Sequence, residues 1–365
     1  ALPIYMVTKD IGGAGVRRSG SALGAVCRAL TPILLMAVCL GAATAEPASP
    51  VRIAGAAYFG DLPTHVADAR GLFAAEGLEA SVTYSESGKD NLARLRAGKS
   101  DFALMALTPL VLDRLADADP GRPDDPVILA SLLQSYELTA VVAGPRTGIE
   151  RPADLRGHRI AFERGTNTEF VWWLFAQFHG IDRTSVETIS MRFSEAPEAV
   201  ASGRVAAAVL PEPWVSRLQA RFERSGTGTP RRFDTRHLYA GRWVVVTTRG
   251  HVARHRNACR RVLAAYRRAV EFIERSPTQA ISLHAESVGT NADGLFERWE
   301  TLDYDLNLDW ALIASLQAQA RWARDRRTSN SAPFDVLDLI ASGPLRATVP
   351  EAVHISVDAG LDRSP

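Results

Sequence analysis

Cysteine and lysine are scarce in this chain, and each scarcity excludes something. Three cysteines in 365 residues (Cys27, Cys39 and Cys259) are too few for a disulfide scaffold or a thiolate metal cluster. Lysine occurs only at Lys9, Lys89 and Lys99, and every other basic side chain of the 42 is arginine. That bias reads as base composition of the gene rather than chemistry. The formal net charge is +1, and basic residues do not interleave with aromatics. Nucleic acid is therefore not an expected partner. Beyond the first 45 residues no apolar run approaches the roughly 20 residues that span a bilayer.

Signatures of catalysis are missing too. There is no Gly-x-Ser-x-Gly, no Gly-x-Gly-x-x-Gly after a strand, no phosphate loop and no metal quartet. Gly12-Gly13-Ala14-Gly15 is glycine-rich but leads into no βαβ unit. His251 and His255 have metal-compatible spacing, yet Arg254 and Arg256 crowd them and no third ligand is near, so they read as a solvated helix start. No metal, no cofactor and no enzymatic activity is expected.

What is present begins with a leader. Arg17, Arg18 and Arg28 precede an apolar run from Ala29 to about Ala43, and Ala43-Thr44-Ala45 offers small residues for cleavage before Glu46. That order is a secretory signal peptide. Residues 1–45 are accordingly read as leader, the start codon falling near Met6, and the mature protein as exported to the periplasm. An uncleaved anchor and a lipoprotein on Cys39 are the competing readings; for the second, Val38 stands where a small residue is wanted.

From Val51 onward, short apolar runs alternate with helical patterns, which predicts α/β architecture. Strands are expected at 51–57, 80–84, 101–106, 127–133, 138–143, 159–163, 186–191, 205–210 and 243–248, with helices almost continuous thereafter. Ala93–Leu104 (ARLRAGKSDFAL) and Glu198–Val209 (EAVASGRVAAAV) share a helix-Gly-strand pattern. The pattern is common in βαβ units and is either chance or the trace of two similar lobes. In open parallel sheets, ligands bind beyond the carboxyl ends of strands, where helix N-termini offer unpaired N–H groups. Ser87-Gly88, Thr108, and Thr166-Asn167-Thr168 fit that description. The last three are more hydrogen-bonding side chains than one cap requires.

Several ordered segments resemble a known family. They are ADARGLFAAEGLEASV (67–82), LRAGKSDFALMALTP (95–109), PADLRGHRIAFERGTNTEF (152–170), AAVLPEPW (207–214) and LNLDWALIASLQAQARWA (306–323). Together they resemble the nitrate/sulfonate/taurine-type (NitT/TauT-like) substrate-binding proteins of ABC importers, over nearly all of the chain after Pro50. The resemblance implies a type II periplasmic binding fold, with mixed sheets flanked by helices and a two-strand hinge. Lobe one would hold 50–142 and 244–345, lobe two 143–243, and 346–365 would be a tail. It implies a monomer that captures a small organic acid or oxyanion by lobe closure and hands it to an ABC transporter permease.

The resemblance also implies ligand contacts at Tyr58 and Phe59 after the first strand, Ser87 and Gly88 after the second, and Met105 and Thr108 after the third. Gln134 and Tyr136 would follow the fourth, Thr166, Asn167 and Thr168 the sixth, and Glu212 and Trp214 the Glu-Pro-aromatic segment. Each has a plainer alternative: aromatic packing for the rings, capping for the small polar residues, core for Met105, and a first-turn acid for Glu212. Trp172 and Trp173 read as helix core and lobe surface. Two other functions stay open, a thiamine-pyrimidine-precursor-related binding protein or enzyme on the same fold, and a ligand-sensing partner of a membrane receptor. The ligand stays open among nitrate, sulfonates, taurine, pyrimidines and other small acids.

Overall fold

The computed structural model describes residues 49–116, 121–289, 292–326 and 334–355. The leader, with Cys27 and Cys39, lies outside them. Eleven strands are described: β1 Ser49–Ala56, β2 Leu78–Ser85, β3 Phe102–Ala106, β4 Pro126–Ser135, β5 Thr139–Ala143 and β6 Arg159–Phe162. Then follow β7 Glu187–Ser190, β8 Ala207–Pro211, β9 Arg231–Phe233, β10 Gly241–Thr248 and β11 Leu302–Asp303. They form two sheets, β11-β4-β10-β3-β1-β2 and β7-β6-β8-β5-β9.

The two sheets repeat one plan. In the first, β2, β1 and β3 run parallel and β10 lies antiparallel against β3. In the second, β7, β6 and β8 run parallel and β5 lies antiparallel against β8. The two helix-Gly-strand segments therefore lead into topologically equivalent strands, β3 and β8. Their glycines do the same work, Gly98 at φ 63° and Gly203 at φ 75° ending the preceding helix in the left-handed region.

Each antiparallel strand is reached by a crossing between sheets, at 136–138 and at 234–240. The crossings thus fall earlier than the 142/143 and 243/244 boundaries expected from sequence. The apolar run at 138–143 pairs with β8 and β9, and Trp243 already pairs with Ala106. Residues 346–355 are likewise no tail. The Gly343–Thr348 helix packs in the first lobe, and Val349 and Ile355 are buried in its core.

Local sequence explains most elements. The Arg256–Arg275 helix buries Cys259, Val262, Leu263, Tyr266, Ala269, Val270 and Ile273, the three-four spacing of one apolar face. Leu62–Ala69 and Leu72–Ala75 are separate helices, because Gly71 adopts φ 62° and the chain restarts at Leu72. In the second lobe, Trp172 and Phe175 fill one side of the sheet while Trp214, Leu218 and Phe222 fill the other. Trp173 is partly buried and packs against the first lobe's core. His251 is not a solvated helix start: its ring packs edge-on against Phe102 at 5.0 Å, and burial lowers its pKa to about 4.

Thr108 departs from expectation. The helix it was to cap begins at Leu107, so Thr108 lies inside the first turn, fully buried. Its hydroxyl donates to Gln319 Oε1 at 2.7 Å, and Gln319 Nε2 donates to the Tyr239 hydroxyl at 2.8 Å. Replacing the hydroxyl by a methyl strands a buried acceptor, at a cost of about 1–3 kcal/mol. Thr108→Val is expected to lower the unfolding free energy in urea by that amount, and an unchanged midpoint would show that Gln319 finds another donor.

Candidate functional site

The parallel strands of both sheets end at one gap. From the first lobe come Tyr58 after β1, Ser87 and Gly88 after β2, and Ala106 and Pro109 at the end of β3. From the second come Thr166 and Asn167 after β6, Phe193 after β7, and Pro211 at the end of β8. All six carboxyl ends thus border a space of about 330 Å³, the location that parallel α/β topology favours for a ligand. A second space of about 280 Å³ shares Tyr58 and Asn167 and continues past Thr139, Thr235 and Tyr239 toward the crossings.

Two helices begin at this gap, one from each lobe. Gly88–Arg96 is capped by Ser87, whose hydroxyl oxygen accepts from Asp90 N at 3.4 Å. Gly88 is required there, since an added Cβ would stand 2.6 Å from Met105 Cβ. Asn167–Phe178 is capped by Thr166, which accepts from Thr168 N at 3.3 Å and donates to the Glu163 carbonyl at 2.8 Å. Asn167 Nδ2 reaches Thr139 Oγ1 at 3.3 Å. No Lys, Arg or His lines either space, and the one carboxylate at the border is Glu86. The positive field available to a ligand is that of the two helix starts.

The expected site residues divide accordingly. Tyr58, Ser87, Gly88, Thr166, Asn167 and Tyr136 border the gap. Phe59 and Met105 do not, being fully buried in the first core. Thr108 faces Gln319, and Thr168 turns inward to Thr166 Oγ1 at 2.8 Å. Gln134 lies on β4 between β10 and β11 and donates to the Tyr136 hydroxyl. Trp214 packs in the second core with Arg217 stacked over it at 4.3 Å. Glu212 is 1% exposed and is not among the residues bordering the gap. Its Oε2 accepts from Ser216 N and Oγ, at 3.1 and 2.8 Å, and Oε1 lies 3.5 Å from Arg298 Nε. Burial raises its pKa, opposed by Ser216 and Arg298.

Trp243, Phe193 and Thr139 border the gap without having been expected to. Their positions follow from pairing. Trp243 of β10 lies opposite Ala106, the last residue of β3, and Thr139 of β5 lies opposite Pro211, the last residue of β8, so the two are equivalent in the repeated plan. A lone Trp at the head of an apolar strand carries no local mark of that role. The internal repeat equates β3 with β8, the strands these two residues pair with, but contains neither residue.

The lobes touch across the gap's rim. Arg192 of the second lobe donates through Nε to Glu86 Oε2 at 2.9 Å and through Nη2 to Asp90 Oδ2 at 2.7 Å. Ser194 N donates to Glu86 Oε1 at 2.6 Å. Lys89 Nζ donates to the Arg164 carbonyl at 2.9 Å, and Arg217 Nη2 to the Val288 carbonyl at 2.8 Å. Phe59 N donates to the Glu212 carbonyl at 3.3 Å. Among the described residues no group of three or more His, Cys, Asp or Glu is placed to hold a metal, and no helix is long and apolar enough to cross a membrane. The thiol of Cys259 is fully buried away from the gap, and burial pushes its pKa up to about 12.

The family described as NMT1/THI5 like matches residues 61–280, more than half of the sequence. The chain belongs to the NMT1/THI5-like family. No curated protein matches the sequence. Among solved structures, this family member superposes on the alkanesulfonate-binding protein SsuA from Xanthomonas axonopodis pv. citri bound to MOPS. The TM-score is 0.67 at 18% identity, covering 82% of this chain and 99% of that one. The periplasmic aliphatic sulphonate-binding protein SsuA from Escherichia coli gives 0.63 at 18% identity, covering 80% and 96%. The desulfurization enzyme DSZB gives 0.61 at 17% identity, covering 83% and 99%. The fold is that of the periplasmic binding proteins, as the sequence motifs implied, and it carries both binding proteins and an enzyme.

Beside the gap, Glu163 is 5% exposed and its Oε2 has no hydrogen-bond partner. Burial raises its pKa from 4.5 to about 7, against the pull of Arg192. The folded state thus binds this proton more tightly than the unfolded chain, so stability falls as pH rises from about 4.5 to about 7. Glu163→Gln removes that dependence. Measured by urea unfolding at pH 5 and pH 8, the variant should gain stability relative to the native protein at the higher pH; a difference independent of pH would contradict this.

Proposed function

We propose that this protein is the extracytoplasmic solute-binding component of an ABC importer, closing its two lobes over a small organic acid and presenting it to a membrane permease. The observation that carries this reading is the pair of helix starts, Gly88–Arg96 and Asn167–Phe178, which come from opposite lobes and border one gap. Unpaired N–H groups and the dipole at such ends favour an anionic head group. A ligand touching both helix starts interacts with the closed arrangement more than with an open one, which is the condition for closure to respond to it.

The charge of the gap narrows the class. Without a cationic side chain at the border, a second negative charge on the ligand would have nothing to pair with, so a monoanion such as a sulfonate or carboxylate suits the site better than sulfate or phosphate. The SsuA proteins that share the fold bind sulfonates, one of them holding MOPS. Binding rather than turnover is favoured by the border itself, which offers no thiol, no histidine and no paired acid and base. The leader read in residues 1–45 and the importer role together favour a periplasmic location for the mature protein, acting as a monomer.

A thermal-shift panel of MOPS, taurine, ethanesulfonate, benzenesulfonate, nitrate and sulfate tests the reading. A binder at 100 times its dissociation constant should stabilise the protein by about 2.7 kcal/mol. Asn167→Ala should abolish the shift while changing the ligand-free melting temperature little, because Asn167 caps nothing; Thr166→Ala should lower both, since its hydroxyl is the cap. A panel in which no acid shifts the melting temperature overturns the proposal.

A further inference from the structure

The two halves of the gap differ in chemistry although they share a plan. At the head of its antiparallel strand the second lobe has Thr139, beside Thr166 and Asn167, whereas the first lobe has Trp243, beside Tyr58. The Tyr58 and Trp243 rings pack at 4.7 Å between centroids. Phe193 of the second lobe lines the same space.

That aromatic wall is built by the turn Tyr58-Phe59-Gly60-Asp61. Gly60 clears the place of the Tyr58 ring, since a Cβ there would fall 2.1 Å from Tyr58 Cε1. Asp61 is fully buried and fixes the other ring. Its Oδ1 accepts from Trp243 Nε1 at 2.9 Å and from the Thr64 hydroxyl at 2.6 Å, and its Oδ2 accepts from Ala56 N at 2.7 Å. Gly55 leaves room for the carboxylate, as a Cβ there would stand 3.0 Å from Asp61 Oδ2. The Tyr304 hydroxyl donates to the Phe59 carbonyl at 3.0 Å, and the Phe59 N–H reaches the Glu212 carbonyl of the other lobe. Burying a carboxylate is costly, and burial pushes this one up to about 7 despite its three donors. An apolar residue would pack the same space without that cost, so what the carboxylate adds is its acceptors, toward Trp243, Thr64 and the Ala56 N–H.

Resting on the solute-binding reading above, we propose that this turn is the specificity element of the gap. Gly60 lets Tyr58 lie on Trp243, Asp61 acts as a positioning residue for the indole, and the wall so formed selects an acid carried on a flat aromatic ring over the same acid on a short aliphatic chain. The acid group lies toward the Asn167–Phe178 helix start and the ring lies against Tyr58 and Trp243, where offset or edge-to-face ring contacts add to the burial of area.

Titration calorimetry on the full chain with benzenesulfonate and ethanesulfonate tests this. Benzenesulfonate should bind at least about tenfold more tightly. Tyr58→Leu and Asp61→Leu should each erase the preference by weakening benzenesulfonate alone, and Asp61→Asn, which keeps an acceptor, should retain it. Equal affinity for the two compounds in the native protein overturns the wall as a selector and leaves the solute-binding reading standing. Binding of neither overturns the inference, and with no other acid of the panel bound it overturns that reading as well. A preference that survives Asp61→Leu overturns the role of Asp61. Should Asp61→Leu fail to fold, the indole proton of Trp243 decides the positioning role in the native protein. Identified in the nitrogen-correlated spectrum by its loss in Trp243→Phe, it should exchange with deuterium far more slowly than a solvent-exposed indole; exchange at the solvent rate overturns the hydrogen bond to Asp61.

Discussion

Two crossings of the chain between sheets constrain everything else in this molecule. Each delivers a strand antiparallel to three parallel ones, β5 into the second sheet and β10 into the first. An antiparallel strand starts where its parallel neighbours end. The crossings therefore lie at the carboxyl edges of both sheets, and they hold those edges toward each other. Helix starts, Trp243 near the beginning of β10 and Thr139 at the beginning of β5 arrive at the gap as consequences of this one arrangement.

Magnitudes separate what holds the lobes together from what a ligand adds. The rim contacts of Arg192 with Glu86 and Asp90 are partly exposed, with 46% of the arginine side chain accessible. Pairs of this kind contribute about 0–1 kcal/mol each and weaken with salt. A ligand at 100 times its dissociation constant would contribute about 2.7 kcal/mol, more than any one such pair. Glu212 and Arg298 belong to a different layer. Arg298 stands 3.5 Å from Glu212 and 3.9 Å from Glu137 of the first crossing, all largely buried. Removing one member of such a group leaves a buried charge uncompensated. It is part of the hinge's construction, not of the ligand's reception.

The two lobes meet the gap with different chemistry. A repeated plan delivers equivalent positions to the gap, and the sequence fills them differently, with rings on one side and hydroxyls and an amide on the other. The one charged side chain at the border is Glu86, so attraction for an anion on the proposed reading would come from backbone orientation, leaving the other side chains free to sort ligands by shape.

Much of this was legible before any coordinates. Alternating apolar runs gave nearly every strand within two or three residues, because a strand buried on both faces must be apolar throughout. The exceptions were the three-residue β9 and the two-residue β11, too short to leave a period. Ser87 and Thr166 were readable as helix starts, since capping is decided within four residues. What only the tertiary structure decided was direction. Glu212, Thr168 and Met105 stand next in sequence to Pro211, Asn167 and Ala106, which border the gap, yet do not border it themselves. Trp243 entered the site through pairing with Ala106, a contact 137 positions away in sequence, which no local pattern encodes. Periodicity and capping are local free energies and can be read from a line of letters; which side of an element meets the other lobe depends on how two distant halves pack, and is fixed only when they do.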